Sequence, residues 1–326
     1  MRAVFILSCA ALLIGLPFVA SGYVLFIANM LLVYVVLTLG LHVLIGETGQ
    51  FGLSHATFYG LGIYLSAYLG SRGVPFPVAI LCAGGFVGAV GLVIGAVGLR
   101  MRDIYLALAT FAFSEAAHWV VTNWVSVTGG PTGMRIRPSH LGDFVITSDR
   151  MAYPVVLAAT GSMLVLMLAI SRSRLGRSFR AVRESEVAAM AVGIHVKRTK
   201  IVAFGLSAFF AAIAGGLFST FSAYVDPESM SFQVTMLILT MAVVGGLGSV
   251  WGAVSGAILF GLISELLRQS PAYREIAYGI ILVVFMMYLP RGVFSLGHSG
   301  ALKKLLGARS KAAPQQPAPH PTEGAA

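Results

Sequence analysis

Glu115, His118 and Thr122 stand three and four positions apart within an otherwise apolar run, which places them on one face of a helix. Ionisable side chains at membrane depth are expensive and turn toward protein or a water-filled cavity, so this face is a candidate lining for a polar path. A structural pair, Glu115 with His118 or with a neighbouring helix, is the competing reading. Gln50 and His55, beside a glycine-rich stretch at 46–52, are further path candidates. A cap or a snorkelling side chain at a span end accounts equally well for His55 and for Glu265. His42 reads as packing. Ser54 and His55 are adjacent, and neighbours on a helix point about 100° apart, so they cannot form a nucleophile–base pair with each other. Neither an H-E-x-x-H cluster nor a G-x-x-x-x-G-K-[ST] phosphate loop occurs. Cys9 and Cys82 fall in apolar runs and give neither a disulfide framework nor a metal spacing. These residues imply no catalytic group, no metal site and no cofactor.

The elements that must position the polar face follow from composition. Of 326 residues, 57% are hydrophobic and 10% charged, against roughly 25% charged in a soluble domain. A bilayer core of about 30 Å takes about 20 apolar helical residues to cross, and backbone amides in lipid must be paired internally. The apolar runs are continuous rather than alternating, which argues for helices over a β-barrel. They lie at about 3–20, 22–45, 54–70, 75–99, 103–125, 151–170, 201–224, 232–247, 250–267 and 275–290. The expectation is an all-α polytopic membrane protein with about ten transmembrane helices. The first run follows Arg2 and has the outline of a secretory signal; it is read as a retained helix.

Between two apolar runs lies a polar island at 171–200, which carries Arg172, Arg174, Arg177, Arg180, Arg183, Lys197, Arg198 and Lys200 against Glu184 and Glu186. An excess of Lys and Arg marks cytoplasmic loops. Placing the island inside also puts Arg2, the Arg100/Arg102 turn and the basic stretch at 291–311 inside, which accounts for sixteen of the 22 Lys and Arg residues. The 126–150 loop and the 226–228 turn then face outward, and both termini are cytoplasmic. The net charge of +10 is spread over span ends, so nucleic acid is not the partner. Residues 1–298 read as the transmembrane domain, with 171–200 as its cytoplasmic loop, and 299–326 as a cytoplasmic tail. That tail is basic first, then Ala-, Pro- and Gln-rich from Ala312, a composition expected to stay disordered.

Gly84, Gly88, Gly91, Gly95 and Gly98 recur every three or four residues and form one narrow stripe. In lipid such stripes favour close helix–helix contact. Ala208, Ala212, Gly215, Ser219 and Ser222 repeat the device, and Gly252 with Gly256 gives a shorter version. Tight packing within the chain is expected, with a subunit interface or moving seam as the alternative. Two glycine-rich turns, at 46–52 and 245–249, each follow one span and open another on the inner side. They read as a weak internal echo, either simple turns or breaks that line a pathway.

Within the island, residues 176–194 read as a short helix closed by Gly193. With Gly49-Gln50-Phe51-Gly52-Leu53-Ser54-His55-Ala56, the Tyr105-to-Glu115 run, Ser126-Val127-Thr128-Gly129-Gly130-Pro131-Thr132-Gly133, Tyr224-Val225-Asp226-Pro227-Glu228-Ser229 and Val244-Gly245-Gly246-Leu247-Gly248-Ser249-Val250-Trp251-Gly252, the chain resembles the permease family of branched-chain amino acid ABC importers. It is more like the LivM than the LivH branch of that family. The island resembles the Glu-Ala-Ala-x-x-x-Gly coupling motif of ABC permeases, carried by Val187, Ala188, Ala189 and Gly193 with Glu186 just upstream. Val187 stands where the motif has an acid, and the usual downstream Leu-Pro is missing.

The resemblance implies a permease subunit in the bacterial inner membrane, with no ATPase of its own, that moves branched-chain or related amino acids inward. Its implied partners are a second permease subunit, two ABC ATPase subunits and an extracytoplasmic substrate-binding protein. Arg177, Arg180, Arg183, Glu186, Ala188, Ala189 and Gly193 would couple to the ATPase, and Asp226 and Glu228 would meet the binding protein. A urea or short-amide permease of the same family and an ion-coupled secondary amino acid transporter are the competing functions.

Overall fold

Nine of the ten apolar runs coincide with helices in the computed structural model, which describes residues 15–17, 20–98, 103–141, 144–268 and 271–288. The run at 3–20 lies largely outside these residues, as do Arg2, Cys9, the Arg100/Arg102 turn, the 291–311 basic stretch and the 299–326 tail. Apart from single turns at Val125–Thr128, Gly130–Thr132 and Pro227–Met230, the helices are α1 Gly22–Leu41, α2 His55–Ser71, α3 Phe76–Gly98, α4 Asp103–Asn123, α5 Asp149–Arg172, α6 Arg174–Glu184, α7 Glu186–Ala191, α8 Val196–Phe218, α9 Phe232–Gly245, α10 Val250–Leu267 and α11 Pro271–Tyr288. Six are long and apolar enough to cross a membrane by length and composition: α1 with the turn that follows it, α3, α4, α5, α8 and α10. The count of ten is thus met only in part. At 17 and 14 residues, α2 and α9 fall short of the roughly 20 that a straight crossing needs.

Small residues bring the helices together. α8 is the central element and packs against α1, α2 and, most extensively, α3. The glycine stripe of α3 is its buried face. A Cβ at Gly91 would lie 2.5 Å from Cβ of Ala208, and one at Gly84 would lie 2.7 Å from Cδ1 of Ile213. Gly62 on α2 meets the backbone of Ala212, and Gly245 on α9 faces Gly252 and Gly256 on α10. The stripes are therefore packing seams within the chain. The opposite face of α3 exposes Val78, Leu81, Phe86, Val93 and Val97, a surface suited to lipid.

The island is two helices where one was expected. Ser185 adopts an extended conformation between α6 and α7, and its Oγ accepts from the backbone N–H of Ala188 at 3.2 Å. Ser173 caps α6 in the same way. A serine that can satisfy an orphan amide starts a new helix more readily than it continues an old one. Gly193 closes α7 with φ +80°, as the sequence suggested.

Two two-residue ladders depart from an all-helical chain. Met134–Arg135 pairs antiparallel with Tyr224–Val225, and His140–Leu141 with Phe144–Val145. The first ladder ties together the two loops that the charge argument places outside.

Candidate functional site

The chain stops being helical between α1 and α2, and the side chains around that break form the polar centre of the molecule. α1 runs into a π-helical turn, His42–Glu47, a wider coil that occurs mostly as single turns at functional sites. Past that turn the amides of Thr48, Gly49 and Gln50 still reach back to the carbonyls of Ile45 and Leu44, and hydroxyls from distant elements supply Leu53. The Leu53 amide donates to Thr110 Oγ1 of α4 at 2.9 Å. Its carbonyl accepts from Ser114 of α4 at 3.2 Å and from Thr235 of α9 at 3.4 Å. Unpaired backbone is tolerated at membrane depth only where protein or water satisfies it, so these hydroxyls are what permit the break.

Gln50 and His55 sit inside this centre, each 2% exposed. The Gln50 amide donates to Thr48 Oγ1 at 3.1 Å and to the Lys200 carbonyl at 3.3 Å. His55 Nε2 lies 2.8 Å from the Leu37 carbonyl. A carbonyl only accepts, so Nε2 carries the proton, and Nδ1 of the neutral ring accepts from Ser207 Oγ at 3.3 Å. His55 thus bridges α1, α2 and α8 and is held more firmly than a snorkelling residue would be. The glycine-rich turns meet here as well: a Cβ on Gly46 would come within 2.7 Å of the Leu247 carbonyl. The internal echo in the sequence is a contact in space.

Glu47 is the residue that the sequence reading missed. Its carboxylate belongs to a residue 5% exposed, accepts from Ser171 Oγ and from Arg180 Nη1 at 3.1 Å, and lies 3.8 Å from His42 Nε2. His42 therefore faces a carboxylate rather than packing alone. Arg180 also reaches the Ser171 carbonyl at 3.0 Å, and Arg183 donates to the Gly46 carbonyl. Both guanidinium groups turn back onto the break. Arg177 reaches the Arg172 carbonyl at 3.3 Å, and Glu186 pairs with Lys200 at 2.5 Å. The signal available in the sequence was an acid at the end of an apolar run, a charge that is costly to bury unpaired.

Glu115, His118 and Thr122 are elsewhere on α4. Thr122 bonds the His118 carbonyl at 2.8 Å. Glu115 is exposed on the surface of the chain, and no described residue pairs with it. α4 touches the break through Thr110 and Ser114, while Glu115 points away from the chain's interior. On the island, Ala189 is buried against Val182 and Val196, whereas Val187, Met190 and Val192 are 74%, 56% and 74% exposed. Asp226 and Glu228 are exposed beside the outer ladder. Glu265 accepts from Tyr23 at 2.8 Å and pairs with Arg268 at 3.1 Å, a span-end cluster. Among the described residues no three His, Cys, Asp or Glu side chains converge on a metal position.

The molecule is an apolar helical bundle with a buried break between α1 and α2 and a basic, folded island tied to that break. The family described as branched-chain amino acid transport system / permease component matches residues 23–289. The chain belongs to this family. Members are the permease part of a transport system, a non-catalytic role. The chain is 31% identical to the high-affinity branched-chain amino acid transport system permease LivM of Escherichia coli K12, over 90% of this chain and 75% of that protein. It is 26% identical to LivH of Salmonella typhimurium, over 80% and 90% respectively. It is also 27% identical to the autoinducer 2 import system permease LsrC of Enterobacter sp. strain 638, over 65% and 63%. No solved structure matches the chain significantly.

Proposed function

We propose that this permease is the membrane subunit of an ATP-binding cassette importer that carries branched-chain or related amino acids inward across the bacterial cytoplasmic membrane. The observation that carries the reading is the island: two capped helices fused to the most buried helix of the bundle present Val187, Met190 and Val192 to solvent amid basic residues. Exposed apolar side chains clustered on a short helix suit a protein partner, here one of two cytosolic ATPase subunits. Arg177, Glu186, Ala188 and Gly193 border this surface, while Arg180 and Arg183 tie the island to the break and Ala189 packs it against Val182 and Val196.

In this reading the chain crosses about ten times, with both termini cytoplasmic. A second permease covers the exposed face of α4. A bare carboxylate at a helix centre costs about 2.5–3.5 kcal/mol against lipid, so Glu115, with His118 and Thr122, faces a path shared with that subunit. Gln50 and His55 lie at its inner end, and the outer loops bearing Asp226 and Glu228 receive the loaded binding protein. ATP-driven closure of the ATPases pushes on 177–194 and the bundle alternates access. The LivM and LivH relatives favour leucine, isoleucine and valine; the LsrC relative keeps other cargoes in view.

The exposed Glu115 also supports a second reading, proton-coupled transport without an ATPase. Reconstitution into proteoliposomes separates the two. We expect uptake of labelled leucine that requires ATP and all partner subunits; uptake by this chain driven by a proton gradient alone would favour the second reading.

A further inference from the structure

We infer that Glu47 and Arg180 form the link through which movement of the island reaches the break between α1 and α2, with Glu47 a positioning residue for transport. This rests on the importer reading above. Among the described residues Glu47 is the one buried acidic side chain. A buried ion pair stabilises a fold weakly, because desolvation offsets most of its attraction. Its position says more than its energy. The carboxylate sits on the last residue of the π-helical turn, and its cation comes from α6, more than 130 positions away.

The attachment is doubled. Arg180 and Arg183 are three residues apart and share a face of α6; one grips the Glu47 side chain and the other the adjoining Gly46 carbonyl. Gly46 also lies close against the second glycine turn, since an added Cβ there would run into the His42 ring and the Leu247 carbonyl. A further connection leaves α7: Glu186 holds Lys200, whose carbonyl holds Gln50. Past Gln50, Leu53 is bonded to Thr110 and Ser114 on α4 and to Thr235 on α9. A displacement of α6 therefore pulls on residues 46–47 and, through the break, on the helix that carries Glu115. Fewer hydrogen bonds lie along this route than in a continuous helix, which suits an element that must change shape.

The test uses the complete reconstituted transporter and measures ATP hydrolysis and leucine uptake together. Glu47→Gln keeps size and a bond to Ser171 but removes the charge. It is expected to assemble with its partners and to lower uptake per ATP hydrolysed by about tenfold, the loss of one charged hydrogen bond. Reversal of the pair, Glu47→Lys with Arg180→Glu, is expected to recover most of that ratio. An unchanged ratio in Glu47→Gln, a reversed pair that assembles without recovery, or a Glu47→Gln protein that cannot assemble would each overturn the inference; the last would make the pair a folding device. Wild-type protein without ATP-dependent uptake would instead overturn the importer reading itself.

Discussion

Gly193 illustrates how much a single position decides on the surface of the island. Its φ of +80° lies in the left-handed region, and a Cβ there would meet no atom within 4 Å, so a side chain is disfavoured by the backbone alone. That conformation costs an ordinary residue about 1–2 kcal/mol, while asparagine adopts it more readily. We expect Gly193→Val to insert into the membrane normally, yet to lose most leucine uptake as α7 ends differently and Val187, Met190 and Val192 are re-aimed. Gly193→Asn should retain much more; equal uptake by the two variants would show that the turn does not set the docking surface. This residue was legible in the sequence because a glycine closing a helix is a local signal. Glu47 was not, since nothing within ten residues of it reveals that Arg180 and Ser171 are its partners.

At the scale of elements, a periodicity of 3.6 carries information that broken backbone does not. The glycine stripe of α3 could be read from spacing alone, and the structure seats it on α8. Gly91 and Gly85 lie on different sides of that helix and make a direct comparison. A methyl group added to the first would stand 2.5 Å from Ala208 Cβ and 2.9 Å from the Phe204 carbonyl, whereas one added to the second would meet nothing within 4 Å. Overpacking of a tight seam costs about 1–3 kcal/mol. Gly91→Ala should therefore lower the melting temperature of the detergent-solubilised protein, and Gly85→Ala should leave it unchanged or raise it slightly; the reverse order would contradict the seam. The π-helical turn had no signal in the sequence, and 46–52 stayed open between a simple turn and a pathway break for a physical reason. The break is held through Leu53 by Thr110, Ser114 and Thr235, hydroxyls at least 57 positions away. The single island helix expected from sequence failed at Ser185, where a side-chain cap competed with helix continuation.

For the whole molecule the decisive quantity is the uneven distribution of charge, which the sequence displays directly and from which we propose the orientation of the elements. The number of crossings is less legible, because α2 and α9 are apolar yet short and owe their place to neighbours rather than length. Orientation can be tested without counting helices. In a background of Cys9→Ala and Cys82→Ala, Val187→Cys places a thiol on the exposed face of α7 and Glu228→Cys one beside the outer ladder. A membrane-impermeant maleimide should modify Glu228→Cys in intact cells and Val187→Cys only in inverted vesicles. Adding the ATPase subunits to those vesicles should slow modification of Val187→Cys, since exposed valine and methionine would then be covered. Modification of Val187→Cys from outside intact cells would place the arginine-rich island on the wrong side for any cytosolic motor, and with it the link through Glu47.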